Sequence, residues 1–237
     1  MKKLFNKKIL ALLMVAVLSA AMFTACKKDP ASSDVTSQPE NEQTESSENK
    51  PEGISLGEEL YVTGMGGYTG MYMEDGSNGI VSDVLMLMVT NNGEKTVQYA
   101  EISMPAGEEE AKFTLSTLPA GATVVLLEQS HMIYDGETEY ADPVAQRVAF
   151  FSEEPSLMED TFRLQVLDGV MNVTNISDAD IEGEIVIYYK NKSAGIYYGG
   201  ITYRSRIQGG LAAGEIRQMT GGHISQSGTE VMFVTVG

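Results

Sequence analysis

"LMLMVTNNGEKTVQYAEISM" (85–104) and "VMNVTNISDADIEGEIVIYY" (170–189) are the stretches whose reading decides the fold. Each passes from an apolar run through Val-Thr-Asn into a polar turn, then into a second apolar run containing Glu-Ile. Further on, "LPAGATVVL" (118–126) is echoed by "LAAGEIRQM" (211–219). The offset is 84 residues at Val89 and Val173 and 93 at Leu118 and Leu211, so the second copy carries about nine extra residues between the matched segments. A spaced echo of this kind predicts two related modules; the alternative is one larger two-sheet domain in which the echo is coincidence.

The surroundings are β-rich. Short runs such as "ELYVTG" (59–64), "VLMLMVTN" (84–91), "TVQYAEISM" (96–104), "AKFTLS" (111–116), "ATVVLLE" (122–128) and "RVAFF" (147–151) are separated by Gly, Asn, Asp and Pro clusters. That is strand and turn punctuation. No stretch of a dozen residues shows a capped 3.6-residue apolar period, and the one helical hint, "EEPSLMED" (153–160), is barely two turns long. The expected class is all-β, as two small antiparallel sandwiches at 56–152 and 160–237.

Before this body stands a leader. Lys2, Lys3, Lys7 and Lys8 precede a mainly apolar run, Ile9 to Ala25, which reads as an export signal over 1–25, with an uncleaved anchor as its rival. Phe23-Thr24-Ala25-Cys26 then resembles the lipobox of bacterial lipoproteins, although that family prefers Leu where this chain has Phe23. The resemblance implies cleavage before Cys26 and acylation of its thiol, the only one in the chain. Two or more acyl chains anchor stably where one holds marginally. The implied setting is the outer face of a cell membrane in a bacterium, of the single-membrane kind.

Residues 26–55 hold Val35 and Ile54 as their only large apolar side chains, so they should form a disordered tether. The leader contains four lysines and no acid, and its loss leaves 12 Lys+Arg against 33 Asp+Glu, a net charge of −21. So acidic a body excludes nucleic acid as a partner and would be repelled by anionic lipid, which leaves the Cys26 lipid as the membrane attachment. With no second cysteine there is no disulfide, and the core must supply stability.

Strand, Asn-rich turn, strand and Leu-x-Ala-Gly turn together look like the immunoglobulin-like sandwiches of exported bacterial lipoproteins, including FxLYD-type modules. The resemblance covers roughly 59–237 and extends to architecture only, because the FxLYD signature, the inter-sheet cysteines and the core Trp are all missing.

Candidate chemistry is sparse. "TGMGGYTG" (63–70) lacks the third glycine and the following helix of a dinucleotide loop and reads as a flexible turn. His131 and His223 have no second His or Cys at metal-ligand spacing, and "GGHISQSG" sets His223 near Ser225 and Ser227 without the third group a hydrolase needs. "EDGSNGIVSD" (74–83) offers Glu74, Asp75, Asn78 and Asp83 as oxygen ligands for Ca²⁺, or simply as β-turn residues, and "IYDGETEYAD" (133–142) invites the same pair of readings. No cofactor is expected.

The strongest functional lead is a break in charge. From Ile185 to Gly214 there is no Asp or Glu, while Lys190, Lys192, Arg204 and Arg206 are interleaved with Tyr188, Tyr189, Tyr197, Tyr198 and Tyr203. Tyr beside Arg is what binding hot spots favour. The same residues also fit a plain hairpin with its tip near Lys192-Ser193-Ala194-Gly195. The favoured function is therefore a non-catalytic, membrane-anchored binding module for an envelope protein or peptide. A carbohydrate- or wall-binding module is the alternative, and an envelope hydrolase is weakest.

Overall fold

A computed structural model describes residues 52–77 and 79–237. The leader, Cys26, the tether as far as residue 51, and Asn78 lie outside the described residues. The first half of the folded region contributes β1 (Ile54–Gly57), β2 (Leu60–Met71), β3 (Ile80–Asn91), β4 (Val97–Ala106), β5 (Glu109–Leu118), β6 (Thr123–Leu127) and β7 (Val144–Phe150). The second contributes β8 (Phe162–Leu167), β9 (Val170–Asn175), β10 (Ile185–Ser193), β11 (Ile196–Ile207), β12 (Ile216–Thr220) and β13 (Thr229–Val236). No helix occurs among the described residues, so the all-β expectation holds at that level.

The strands form one seven-stranded sheet, β1-β2-β3-β6-β11-β10-β13, and two three-stranded sheets, β5-β4-β7 and β12-β9-β8. Six strands of each half follow the same plan. β2-β3-β6 faces β5-β4-β7 in the first, and β8-β9-β12 faces β11-β10-β13 in the second. What differs is which sheet of each half joins the long one. β6 of the first half pairs in parallel with β11 of the second through Tyr197–Val124 and Tyr198–Val125, so the long sheet crosses the boundary. Both halves belong to one compact unit.

Strand alternation sets the layers. Leu85, Leu87 and Val89 of β3 and Val124 and Leu126 of β6 turn inward against Ile102, Phe113 and Leu115 of the first three-stranded sheet. Ile185, Ile187 and Tyr189 of β10 turn the other way, against Phe162, Met171 and Val173 of the second. Lys190, on the opposite face of β10 from Tyr189, reaches the Ser116 carbonyl of β5. The two small sheets therefore cover opposite faces of the long sheet, and among the described residues part of each face has no second layer.

The echo in the sequence has a physical cause. Asn91 is fully buried; its Nδ2 donates to the carbonyls of Lys95 (2.9 Å) and Leu118 (3.1 Å), and its Oδ1 accepts from the Gly93 amide. Asn175, equally buried, donates to Ala179 (2.8 Å) and Leu211 (3.0 Å) and accepts from the Ser177 amide. Backbone bonds complete the tie, with Gly121 N donating to Asn91 O and Gly214 N to Asn175 O. Gly121 (φ 70°) and Gly214 (φ 75°) supply the left-handed conformation that brings these amides round. The Val-Thr-Asn and Leu-x-Ala-Gly segments are thus two sides of one knot, present once in each half.

Two sequence expectations are corrected, and the one helical hint is resolved. Ile54, assigned to the tether, opens β1 and pairs with Val62, because the Ile54-Ser55-Leu56 segment gains a ladder and Leu56 packs on the core. "TGMGGYTG" is no turn; it runs through β2, paired with β3 from Leu60–Asn91 to Met71–Ile80. "EEPSLMED" forms no helix, being drawn into turns in which the Met158 carbonyl accepts from Thr161 and Phe162 and the Ser156 carbonyl from Val234.

Candidate binding surface

The tyrosine- and arginine-bearing stretch is a hairpin, β10–β11, whose two-residue tip has positive φ at Ala194 (49°) and Gly195 (85°). Such a tip matches the twist of paired strands. Alternation then divides the predicted binding residues. Tyr198 and Tyr203 lie on the face carrying the second small sheet, while Lys190, Lys192, Tyr197, Arg204 and Arg206 lie on the other.

Several of these side chains are structural. Tyr197 is buried and donates to Glu230 Oε1 at 2.7 Å, with the Lys192 ammonium over its ring and paired to Glu230 Oε2 at 2.6 Å. Tyr203 is buried between Tyr189 and His223, and burial pushes its phenol up to about 12. Arg206 pairs with Glu184 at 3.3 Å, and Arg204 is exposed. Burial of Tyr197, Tyr203 and Lys190 removes them from any common exposed face. Of the predicted set, Tyr198 belongs to the surface described below, and Lys192 borders its cleft.

Lys190 is where the two halves are tied. Tyr189 pairs with Tyr203 and Asn191 with Tyr198, so β11 spends four residues, 199–202, opposite Lys190 alone. A bulge of this size takes backbone groups out of the ladder. Lys190 Nζ donates to the carbonyls of Gly200 (3.1 Å), Ile201 (2.8 Å) and, across the boundary, Ser116 (3.0 Å). Glu74 accepts from Gly200 N at 2.8 Å and from Leu127 N at 2.9 Å, where β6 ends. Burial lowers the Lys190 pKa to about 7 against the opposing pull of Glu74, and burial raises that of Glu74. Gly200 is required here because a Cβ would overlap the Thr114 carbonyl oxygen.

On the first half's share of the long sheet, the face away from the core is also apolar. Val84, Met86 and Met88 of β3, Val125 and Leu127 of β6, and Ile196 and Tyr198 of β11 form a second cluster with Tyr68 and Tyr72. Tyr72 closes one end, donating to the carbonyls of Glu128 (3.0 Å) and Gln129 (3.2 Å). Tyr68, Met86, Met88, Ile196 and Tyr198 remain partly exposed, with no sheet above them among the described residues. Gly64 and Gly66 of β2 pair with Met88 and Met86, and a Cβ at either would meet those side chains at ordinary contact distance, 3.4–3.6 Å. The result is a platform of thioethers and phenol rings. Desolvation, and after it the neighbouring Tyr198, raises the Tyr68 pKa above the ordinary phenol value.

The platform ends in a cleft of ≈ 360 Å³ between the segment following β2 and the 221–228 connection. Met71, Met73, Asn191, Tyr198 and His223 are among its walls. Met73 is held in place: Asn191 Nδ2 donates to its Sδ at 3.4 Å and the Tyr203 hydroxyl to its carbonyl at 3.2 Å. His223 stacks on Tyr203, centroids 4.3 Å apart, and its buried Nδ1 has no hydrogen-bond partner. Ser225 Oγ accepts from Gly228 N at 3.0 Å, and no hydrogen bond between Ser225 and the His223 ring occurs among the described residues.

The calcium candidates do not converge. Glu74 points inward to the junction, Asp75 Oδ1 accepts from Ser77 N at 2.8 Å in a local turn, and Asp83 Oδ2 accepts from Ser82 at 2.7 Å. Asp135 likewise caps its own loop through Glu137 N and Thr138 N. Among the described residues, no three His, Cys, Asp or Glu side chains gather closely enough to hold a metal ion.

Sequence reasoning missed the platform. Its signal was present in "VLMLMVT" (84–90) and "VVLL" (124–127), unbroken apolar runs that mark strands apolar on both faces. Comparison with protein-family models and with curated proteins finds no match to this chain.

Proposed function

We propose that this protein is a non-catalytic, extracytoplasmic binding module, held to a cell membrane by lipid on Cys26 and presenting its platform to an apolar segment of an envelope protein or peptide. The observation that carries the reading is the uncovered Tyr68, Met86, Met88, Ile196 and Tyr198 face. Methionine adapts its shape to varied apolar partners, and tyrosine adds rigid contact area with few rotors to freeze. Covering about 200 Å² of such surface contributes roughly 5 kcal/mol before association costs. The lipobox-like Phe23-Thr24-Ala25-Cys26 supports the anchor. The common strand plan of the two halves supports reading 56–152 and 160–237 as related, immunoglobulin-like or FxLYD-like modules.

A second reading, binding of carbohydrate, draws on Tyr68 and Tyr198, neighbouring half-exposed phenols on which a sugar ring could stack. Photo-crosslinking in the producing cell separates the two. With the crosslinker at position 198, discrete protein adducts are expected, lost on Met88→Glu and kept on Arg204→Ala. Glycan adducts would favour the second reading. An adduct pattern identical to that from a crosslinker at exposed Ile216, on another sheet, would refute both.

A further inference from the structure

We infer that the cleft at the end of the platform is a site for one soft monovalent metal ion, Cu⁺ or Ag⁺, held by the thioethers of Met71 and Met73 and the imidazole of His223. All three residues wall the same ≈ 360 Å³ cleft. Met73 and His223 also flank one phenol: the Tyr203 hydroxyl lies 3.7 Å from Met73 Sδ, and the His223 ring stacks on the Tyr203 ring. Met71 stands two residues before Met73 and is 37 % exposed, which leaves its thioether free to swing inward. Met73 is positioned by Asn191 and Tyr203, whose contacts with its Sδ the ion would replace, and His223 by its stacking partner.

The chemistry of the set selects the ion. Thioether sulfur is a neutral, polarizable donor that favours Cu⁺ over hard cations, and imidazole accepts the same ion. Ca²⁺ and Mg²⁺ need several oxygen ligands, whereas the nearby carboxylates are engaged elsewhere: Glu74 with Gly200 N and Leu127 N, Asp75 with Ser77 N. Zn²⁺ sites use thiolate, imidazole or carboxylate, and here one imidazole stands alone among the described residues. Among the buried polar side-chain atoms of this wall, His223 Nδ1 alone has no hydrogen-bond partner, so a ring flip that brings it to the cleft breaks no hydrogen bond. Burying such an atom costs free energy unless a ligand or donor meets it. A metal ion bound to either ring nitrogen would also select the tautomer at the other. Two thioethers and an imidazole carry no charge, so the complex keeps the single positive charge of the ion, in a protein that is otherwise strongly acidic.

The test uses the full chain in mild detergent with Cys26→Ser, which removes the only thiol. Cu⁺, kept reduced, is titrated in competition with a chromophoric chelator, and Ag⁺ serves as a redox-silent probe. Methyl-¹³C methionine NMR is recorded alongside. The expected result is one equivalent bound, with methyl shifts confined to Met71 and Met73 out of 14 methionines. Met71→Leu and His223→Phe should each weaken binding tenfold or more, and Met65→Leu, on exposed sulfur outside the cleft, should leave it unchanged. Several weak equivalents, shifts spread over the methionines, indifference to the Met71 and His223 substitutions, or tighter binding of Zn²⁺ than of Cu⁺ would each overturn the assignment. Should His223→Phe fail to fold, Met71→Leu and the wild-type methyl shifts decide the matter alone.

Discussion

Replacing Lys190 by methionine keeps most of the side-chain volume and removes the ammonium that ties the two halves together. Ser116 O and Gly200 O each retain a hydroxyl donor, from Thr202 at 3.0 Å and Ser116 at 2.9 Å, whereas Ile201 O has no other side-chain donor. One orphaned buried carbonyl costs about 1–3 kcal/mol. Glu74, which makes no direct ion pair with Lys190, loses a nearby charge that favours its ionised form. Relief of the ammonium's own desolvation offsets part of the cost, so the net loss should be about 1–2 kcal/mol, or roughly 2–8 °C in Tm for a body of this size. Adding Glu74→Gln to Lys190→Met should recover part of the loss. The comparison has a pH signature. Lys190 has an ordinary value of 10.5 and burial lowers it to about 7 in the fold. Below about 7 both folded and unfolded chains hold the proton; between 7 and 10.5 only the unfolded chain does. Stability of the wild type relative to Lys190→Met should therefore rise with pH across that window, by up to roughly 1.4 kcal/mol per unit. Glu74 acts on the acid side with opposite sense: its raised value means stability gained as pH falls through it. Urea melts of both proteins at pH 6, 7.5 and 9 measure this directly. Equal stability at pH 6 to within about 0.5 kcal/mol, together with a flat difference up to pH 9, would refute the reasoning.

Two further substitutions probe the fold. Asn175→Ala removes the donor to Ala179 O and Leu211 O and the acceptor for Ser177 N, so it should destabilise by about 2–3 kcal/mol in urea, with Asn91→Ala alike; a loss below about 0.5 kcal/mol would mean that the knot is incidental. Gly200→Ala drives a methyl into the Thr114 carbonyl oxygen and should cost more than about 3 kcal/mol or split the melt into two transitions, whereas Gly195→Ala at the open hairpin tip should cost only about 1 kcal/mol; equal effects would contradict the close approach of β5 and β11.

The strands were legible because alternating apolar residues and turn residues are local signals. Asn91 and Asn175 were legible as an echo, though not as a cause, since their hydrogen bonds run to carbonyls 27 and 36 residues away. "TGMGGYTG" misled because its glycines look like turn residues, whereas the ladder that makes them a strand is with β3, about twenty residues on. Lys190 and Tyr197 looked like surface for a similar reason. Only the bulge at 199–202 and the parallel contact of β6 with β11 bury them, and nothing within the hairpin's own sequence announces either.

The bulge also explains how one apolar face can span two halves of a chain. Met86 and Met88 come from the first half, whereas Ile196, Tyr198 and most of the cleft's far wall come from the second. The β6–β11 ladder that sets them side by side has only two residue pairs, too few to hold a sheet together unaided. Just past those pairs, Lys190 and Glu74 take up the carbonyls and amides that the ladder gives up. A longer ladder would have used β11 carbonyls in ordinary pairing and kept the following segment flat against β6. By bulging instead, β11 turns Gly199 beneath Met73, with so little room that a Cβ would come within 2.6 Å of the Met73 Cβ, and so seats that thioether in the cleft wall. The buried charges are thus the condition under which the platform and its cleft form one continuous surface, and a variant that loosens them should lose binding before it loses secondary structure.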